Sequence, residues 1–343
     1  MHDVLWLKRD VRVSDNDALS IAAKSSRPLV ILYVYEDVHM RSDNYHESHH
    51  IFINQGLRVF DKKIKKLSGG IGVTFRHADS AVDVLEELHS TSRIHTIFCH
   101  REVGNSISIG RNQEVYRFVH QEKIHLFEFS QDGVSVPRND KTEPPSTFWR
   151  DPIATTPTKL NLVTGIPSSG MMSAEACGVK HMGTRPEAPK GGEKQAKKFL
   201  RSFLNERGKD YRFEVSSPLA GWSSCSRLSA YLAWGHISCR EVYQMASAVH
   251  ADHVKTKKVE AQRLAQNKQD ESMLSIPMIV DGRLIDPSEE EVEKDATAAT
   301  DESNNSLCEA REWATSLKSF LSRMEWRAKF MKQFHDDPSI EYS

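Results

Sequence analysis

Five apolar runs with helical patterns between them fill the chain from Val4 to Phe129, and that alternation decides the fold class. The runs are Val4–Leu7, Leu29–Tyr35, Ile71–Phe75, Thr96–Cys99 and His125–Phe129. Asp17–Ala23, Phe52–Leu67, Ala81–Leu88 and Asn112–Gln121 lie between them; in the second, Phe52, Leu57, Phe60, Ile64 and Leu67 keep a helical period. Strands that lack polar alternation are buried on both faces, so helices must cover both sides of the sheet. The pattern predicts an α/β, mostly parallel, doubly wound sheet, which takes ligands beyond the carboxyl ends of its strands. No glycine-rich fingerprint follows the first run, which argues against a dinucleotide site of the usual NAD kind.

A second stretch, Ser216 to Tyr243 (SSPLAGWSSCSRLSAYLAWGHISCREVY), concentrates polar chemistry. Ser223, Ser224, Cys225, Ser226, Arg227 and Ser229 crowd a turn before the apolar positions Leu228, Tyr231, Leu232 and Trp234. Hydroxyls, a guanidinium and the free N–H groups of a helix start can cradle a phosphate. A serine-capped helix hairpin with no ligand explains the same residues equally well. Gly235 is expected to end this helix. Ser238 is expected to cap the next one, with Glu241 completing a capping box.

Composition narrows the rest. The formal charge is −1, from 46 basic and 47 acidic residues, so any contact with nucleic acid must come from local patches. The five cysteines are scattered without CxxC spacing, which fits reduced thiols and neither a disulfide framework nor a zinc site. His46, His49 and His50 come closest to a metal cluster, but solvated positions on a polar helix are the commoner reading, and no metal is expected. No apolar run reaches a membrane span, and Met1–Arg9 has no signal-peptide core, so an intracellular, soluble protein without a membrane partner is expected. The choice among nucleus, cytoplasm and plastid is open.

Pro137–Pro189, rich in Pro, Thr, Ser and Gly, reads as a connector draped over the first domain. Gly192–Arg207 reads as an amphipathic helix, with Lys194, Lys197, Lys198 and Arg201 on its solvated side. Asp286–Glu302 is acidic and nearly free of large apolar residues, so 263–305 is expected to be a mostly flexible insertion. In Trp313–Phe334, Trp313, Leu317, Phe320, Leu321, Met324, Ala328 and Met331 form a core stripe. Trp326, Phe330 and Phe334 fall on another face with Arg323 and Arg327, an arrangement suited to stacking on a base beside its phosphate.

Three segments together resemble the photolyase/cryptochrome family: Leu5–Arg12 with Asp15–Leu19 at the start, the serine-rich Ser217–Tyr243, and Ser316–Phe330. The resemblance implies an α/β antenna domain over 1–135, a connector over 136–190, and an incomplete all-α flavin-binding domain over 191–343. It implies FAD contact by Tyr211, Cys225, Ser226, Arg227, Leu228, Ser229, Phe320 and Arg327. It implies DNA contact by Arg323, Trp326 and Phe330. A folate or deazaflavin antenna would meet Glu102 and Asn105. Arg9, Asp10 and Arg12 are read first as an ion-paired network that fixes the loop after the first strand. The implied activity is that of a deoxyribodipyrimidine photo-lyase acting on UV-damaged DNA. The alternatives are a blue-light photoreceptor with a signalling partner, or an inactive truncated relative. Repair enzymes of this kind often carry a carboxylate or amide where this chain has Arg323, and arginine accepts no hydrogen bond. The family's last third lies beyond Ser343, so the chain is expected to be a fragment or a truncated form.

Overall fold

The computed structural model describes the chain apart from residues 135–146, 182, 184–186, 275–277, 281–282, 286–292 and 343; between 270 and 303, and at Tyr342, it describes backbone alone. The apolar runs form strands β1 (His2–Leu7), β2 (Leu29–Glu36), β3 (Thr74–Ala78), β4 (Ile94–His100) and β5 (His125–Phe129). All four pairings are parallel, in the order β3-β2-β1-β4-β5. The helices between them are α1 (Asp17–Ala22), the single turn α2 (Asp37–Met40), α3 (Glu47–Ser68), α4 (Ala81–Thr91) and α5 (Ser106–Gln121). Chain direction on β1 splits the core: Leu5 and Leu7 enter a cluster with Leu57, Phe60 and Ile64 of α3, and Val4 and Trp6 enter one with Val84, Leu85 and Val115 of α4 and α5. Both faces of the sheet are thus dry. Truncating a fully buried residue such as Leu57 to alanine would cost roughly 2–5 kcal/mol.

Contacts divide the chain into two compact units. The first contains Met1–Arg201, Arg227–Gln244 and Met324–Ser343; the second contains Ser202–Ser226 and Met245–Arg323. The division therefore interleaves along the chain rather than following one cut near residue 190.

In the first unit the connector is anchored and not merely draped. Leu160 and Leu162 are buried, Leu162 bridges to Leu29, and Ser169 donates its N–H to Phe75 O at 2.8 Å, on the edge strand. Helix α6 (Glu193–Ser202) starts on Glu193, whose carboxylate accepts from Val13 N–H and from Lys63 Nζ at 2.7 Å. Lys197 is not solvated as the amphipathic pattern suggested; it pairs with Glu241 at 2.9 Å and Glu193 at 3.3 Å. The short helix α9 (Ser229–Ala233) ends as the sequence indicated. Gly235 takes φ +64, and a Cβ there would lie 1.9 Å from Arg9 O, so only glycine fits. Ser238 Oγ accepts the N–H groups of Arg240 and Glu241, at 3.1 and 3.4 Å, but the Glu241 carboxylate goes to Lys197, so the expected capping box is half made. Arg240 clamps Asp15, with Nε 3.1 Å from each oxygen, and reaches Asp17 at 2.8 Å. The end of the chain adds Arg327–Asp132 at 3.0 Å and Glu341 accepting Ser106 N–H at 2.7 Å.

The second unit packs around rings. Phe203 begins a π-helical turn (Phe203–Arg207) and lies 4.7 Å from Phe320 and 5.4 Å from Tyr211; Tyr211 opens the single turn α7 (Tyr211–Glu214). Ser316 Oγ donates to Lys209 O and accepts from Arg212 N–H, and His253 stacks on Trp313 at 5.3 Å. Phe320 and Trp313 belong to α11 (Glu293–Asp336), and His253 belongs to α10 (Cys239–Leu274). Residues 263–274 therefore continue a helix, β6 (Met278–Val280) and β7 (Arg283–Ile285) pair antiparallel, and α11 is under way from Glu293. The low apolar content pointed to a flexible stretch, but Ala, Glu, Gln, Leu and Lys there are strong helix formers. The other positions of 263–305 lie outside the described residues.

Candidate functional site

A cavity of about 310 Å³ opens at the carboxyl ends of β1 and β2, where a doubly wound sheet takes ligands. Tyr33 and Tyr35 reach it from the end of β2, Tyr45 and His49 from the start of α3, and Trp234 from just past α9. Beneath the rings lies a charge network. Glu102 pairs with Arg9 Nε at 2.8 Å and with Arg111 Nη2, and accepts Ser108 Oγ at 3.2 Å. Arg111 also bonds Glu36 at 2.8 Å and donates to His39 Nε2 at 3.3 Å. Burial alone would raise the Glu102 carboxyl, but the charges of Arg111 and Arg9 outweigh it and hold the group well below the usual carboxylate range. Burial, with Arg111 adding to it, keeps His39 neutral to lower pH than usual. The Arg9 guanidinium carbon lies over Trp234, 5.0 Å from the ring centroid.

The sequence expectations meet this site unevenly. Glu102 and Asn105 do line the cavity. Glu102 is buried rather than part of a polar surface loop, and Asn105 caps α5 by accepting Ser108 N–H at 3.1 Å. The predicted ion-paired network after β1 holds for Asp10, which meets His100 Nδ1 at 2.8 Å, and for Arg9, which pairs with Glu102 at 2.8 Å and also faces the cavity; Arg12 instead fixes the loop through neutral acceptors, donating to Gly235 O at 3.3 Å. The histidines divide: His46 caps α3, His49 lines the cavity, and His50 is 1 % exposed and bonded to Met172 O at 3.0 Å. His50 is thus no solvated position; it lies on the apolar face of α3. Tyr33, Tyr35, Arg111 and Trp234 were missed. Period two along Leu29–Glu36 sets Tyr33 and Tyr35 on one face at the end of the strand, and that signal was available.

The flavin-segment residues fall in both units. In the second, Cys225 and Ser226 form an extended loop after the short α8 (Gly221–Ser224). Arg207 donates to Cys225 O, and to Ser226 O at 3.5 Å, a buttress with no signature in the sequence. Tyr211 and Phe320 are 5 and 4 % exposed and close on Phe203 and each other, with Tyr211 and Phe320 centroids 5.7 Å apart. Burial pushes the Tyr211 hydroxyl up to about 12 against the opposing charge of Arg323. Arg323 itself is exposed. In the first unit Arg227 takes the left-handed conformation, φ +57, Leu228 is buried, and Ser229 is exposed at the first turn of α9. The hydroxyls of Ser226 and Ser229 make no hydrogen bonds among the described residues. Tyr211 and Phe320, closed on Phe203 and on each other, present no open ring face. Trp326 and Phe330 are 56 and 59 % exposed, with centroids 6.0 Å apart, and Arg327 is held by Asp132.

Residues 3–150 match the DNA photolyase family. Cryptochrome-2 of Arabidopsis thaliana is 23% identical over 273 residues, which cover 71% of this chain and 42% of that protein. Among solved structures, a cryptochrome from Synechocystis superposes with a TM-score of 0.60 at 17% identity, over 73% of this chain and 56% of that one. A class III photolyase from Agrobacterium tumefaciens gives 0.54 at 19%, over 71% and 52%. An archaeal photolyase from Sulfolobus tokodaii, solved with two FAD molecules and implying a novel light-harvesting cofactor, gives 0.53 at 18%, over 71% and 54%. The parallel α/β sheet and the helical remainder define a photolyase-type fold. Over residues 3–150 the chain matches the DNA photolyase family, and as a whole it is similar to photolyases and cryptochromes, spanning about half the length of these relatives. Among the described residues no helix is long and apolar enough to cross a membrane.

Proposed function

We propose that the chain is a light-responsive, chromophore-binding protein whose sheet-end cavity holds an antenna pigment and whose Cys225–Ser229 segment takes the FAD diphosphate. The cavity carries this reading: aromatic walls, paired arginines and a volume of about 310 Å³ suit a planar heteroaromatic ligand. Tyr33, Tyr35, Tyr45 and Trp234 would sandwich it and exclude water, while the Arg9–Glu102–Arg111 network fixes the floor. Ser226, Arg227 and Ser229 would orient the flavin through its phosphates. The chemistry that FAD supplies in this family is light-driven electron transfer, which in repair splits a flipped pyrimidine dimer.

The exposed Trp326 and Phe330 support contact with UV-damaged DNA, and so photo-lyase activity. The blue-light photoreceptor reading is favoured by Arg323, which cannot accept a hydrogen bond from a dimer. Two measurements on the purified chain test these readings. An absorbance spectrum with the bands of bound oxidised flavin supports the cofactor assignment, and a colourless chain after reconstitution removes it. Tighter binding to UV-irradiated than to intact DNA, weakened in W326A, supports repair; equal affinities favour reception.

A further inference from the structure

The near-zero net charge of the chain hides a separation of charge within the first unit. On α4 the exposed charged residues are Asp83, Glu86 and Glu87, and the helix holds no lysine or arginine. On the opposite face of the sheet the balance reverses. Beyond its first turn α3 has one acidic residue, Asp61, which is buried and paired with Lys65 at 2.7 Å. The one acid of α6 is Glu193, buried against Lys63 at 2.7 Å and Lys197 at 3.3 Å. What stays exposed is two rows of cations: Arg58, Lys62 and Lys66 along α3, and Lys194, Lys198 and Arg201 along α6. None of these makes an ion pair or hydrogen bond among the described residues. The rows border one seam, where Lys63 meets Glu193 and Gly192 packs on Val59. Neighbours in a row are three or four residues apart, so the charges recur about every 5–6 Å. Like charges at that spacing destabilise a helix, and carboxylates interspersed among them would relieve it. An amphipathic helix accounts for lysines in water but not for the missing carboxylates.

We propose that the α3 and α6 rows form a docking surface for the phosphate backbone of a duplex nucleic acid, bound without regard to sequence or damage. The surface is built from elements other than the one that carries Trp326 and Phe330, and it depends on neither chromophore. The make-up of the rows chooses the partner. Among the described residues, Ile51 is the only large apolar side chain exposed on these two helices. A protein partner would need aromatic or aliphatic anchors to bury, and a membrane would need apolar side chains to insert. Without them, affinity has to come from released counterions, which calls for the high linear charge density of a nucleic acid. No exposed ring is present for an unpaired base to stack on, which favours a duplex over a single strand. Five of the six cations are lysines, compact point charges that suit phosphates and carry no base readout.

The test is binding of a labelled, intact duplex of mixed sequence to the purified chain, read by fluorescence anisotropy across a salt series. With all of these cations on phosphates, the logarithm of the affinity should fall with the logarithm of salt at a slope of about −5, roughly a thousand-fold between about 50 and 200 mM. Two double variants, Lys62→Ala with Lys66→Ala and Lys194→Ala with Lys198→Ala, are each expected to make the slope shallower by about two. Each should also weaken binding at about 100 mM salt by ten-fold or more. These side chains hold nothing else in the fold, so thermal unfolding of the variants should match wild type. The variants should weaken irradiated and intact duplexes by the same factor, so the ratio that tests repair is left unchanged and the two readings fail separately. A wild type whose affinity ignores salt, or double variants that keep the wild-type slope, overturn the proposal. So does tighter binding to polyglutamate or to phosphatidylserine vesicles than to the duplex.

Discussion

His236 offers a sharp test of how this chain packs. It is 0 % exposed, stacks on Phe52 at 4.7 Å and accepts Gly192 N–H on Nδ1 at 3.0 Å. The proton is therefore on Nε2, which makes no hydrogen bond and presses on α3 at Gly56, where a Cβ would lie 2.1 Å away. Burial pushes the imidazole down to about 4, against a small opposing pull from Glu193. The folded pKa is depressed for a base, so between about 4 and 6.5 the unfolded chain binds the extra proton. The stability is complete above the unfolded value and is lost as pH falls toward the folded one. The whole difference is worth about 3 kcal/mol, and between pH 7 and 4.5 about 2 kcal/mol of it is lost. His2, His39, His49 and His50 are also lowered and add to the same window, so the signal is a difference between proteins. His236→Gln can still accept from Gly192 but does not titrate. Urea midpoints at pH 7 and 4.5 should show the variant losing about 2 kcal/mol less than wild type. If the two lose stability in parallel, His236 is not the neutral buried group its surroundings imply.

Other positions give equally direct outcomes. Gly235→Ala meets both the left-handed backbone and the Arg9 carbonyl, so the melting temperature should fall by an amount equal to roughly 2 kcal/mol or more, measured by thermal unfolding. Arg240→Met leaves Asp15 buried without its cation. A loss of about 3–5 kcal/mol is expected by urea unfolding at pH 7. Glu193 is held down to about 2, with burial outweighed by Lys63, so the stability it supplies should persist above pH 4.5 and fade toward pH 2; Glu193→Gln should flatten that acid limb.

Much of the sheet was legible because buried parallel strands advertise themselves as apolar runs. β5 was located without error, and β1, β2 and β4 within a few residues. β3 was placed three residues early. Ile71 and Val73 are apolar, but Val73 N–H is taken by Asp61 Oδ1 at 2.8 Å, and pairing starts only at Thr74. Helix α5 was started six residues late, because Ser-Ile-Ser-Ile reads as strand while the Asn105 cap that launches it carries little weight in a period count. In the site, Glu102 and Asn105 could be named, but their chemistry could not. The commitment of Glu102 to two arginines depends on β1, α5 and the loop after β4 converging in space. Arg207 had no readable role for the same reason, and Trp234 could be read only as an apolar helix position, not as a wall of the cavity.

The interleaving of the first unit has a consequence for how the protein is made. On the ribosome, all five strands of the sheet emerge long before Arg227–Gln244 and Met324–Ser343, which belong to the same unit. The Arg240–Asp15 clamp joins residues 225 positions apart. Closing a loop of that length costs on the order of 5 kcal/mol by chain statistics, more than one ion pair returns. The segment must therefore dock as a block, with Leu228, Tyr231, Ile237 and Val242 burying together as the clamp forms. Until then the loop from Arg9 to Asp15 lacks the segment whose Gly235 packs on the Arg9 carbonyl and whose Arg240 holds Asp15, and that uncovered backbone is open to chaperones or to a second nascent chain.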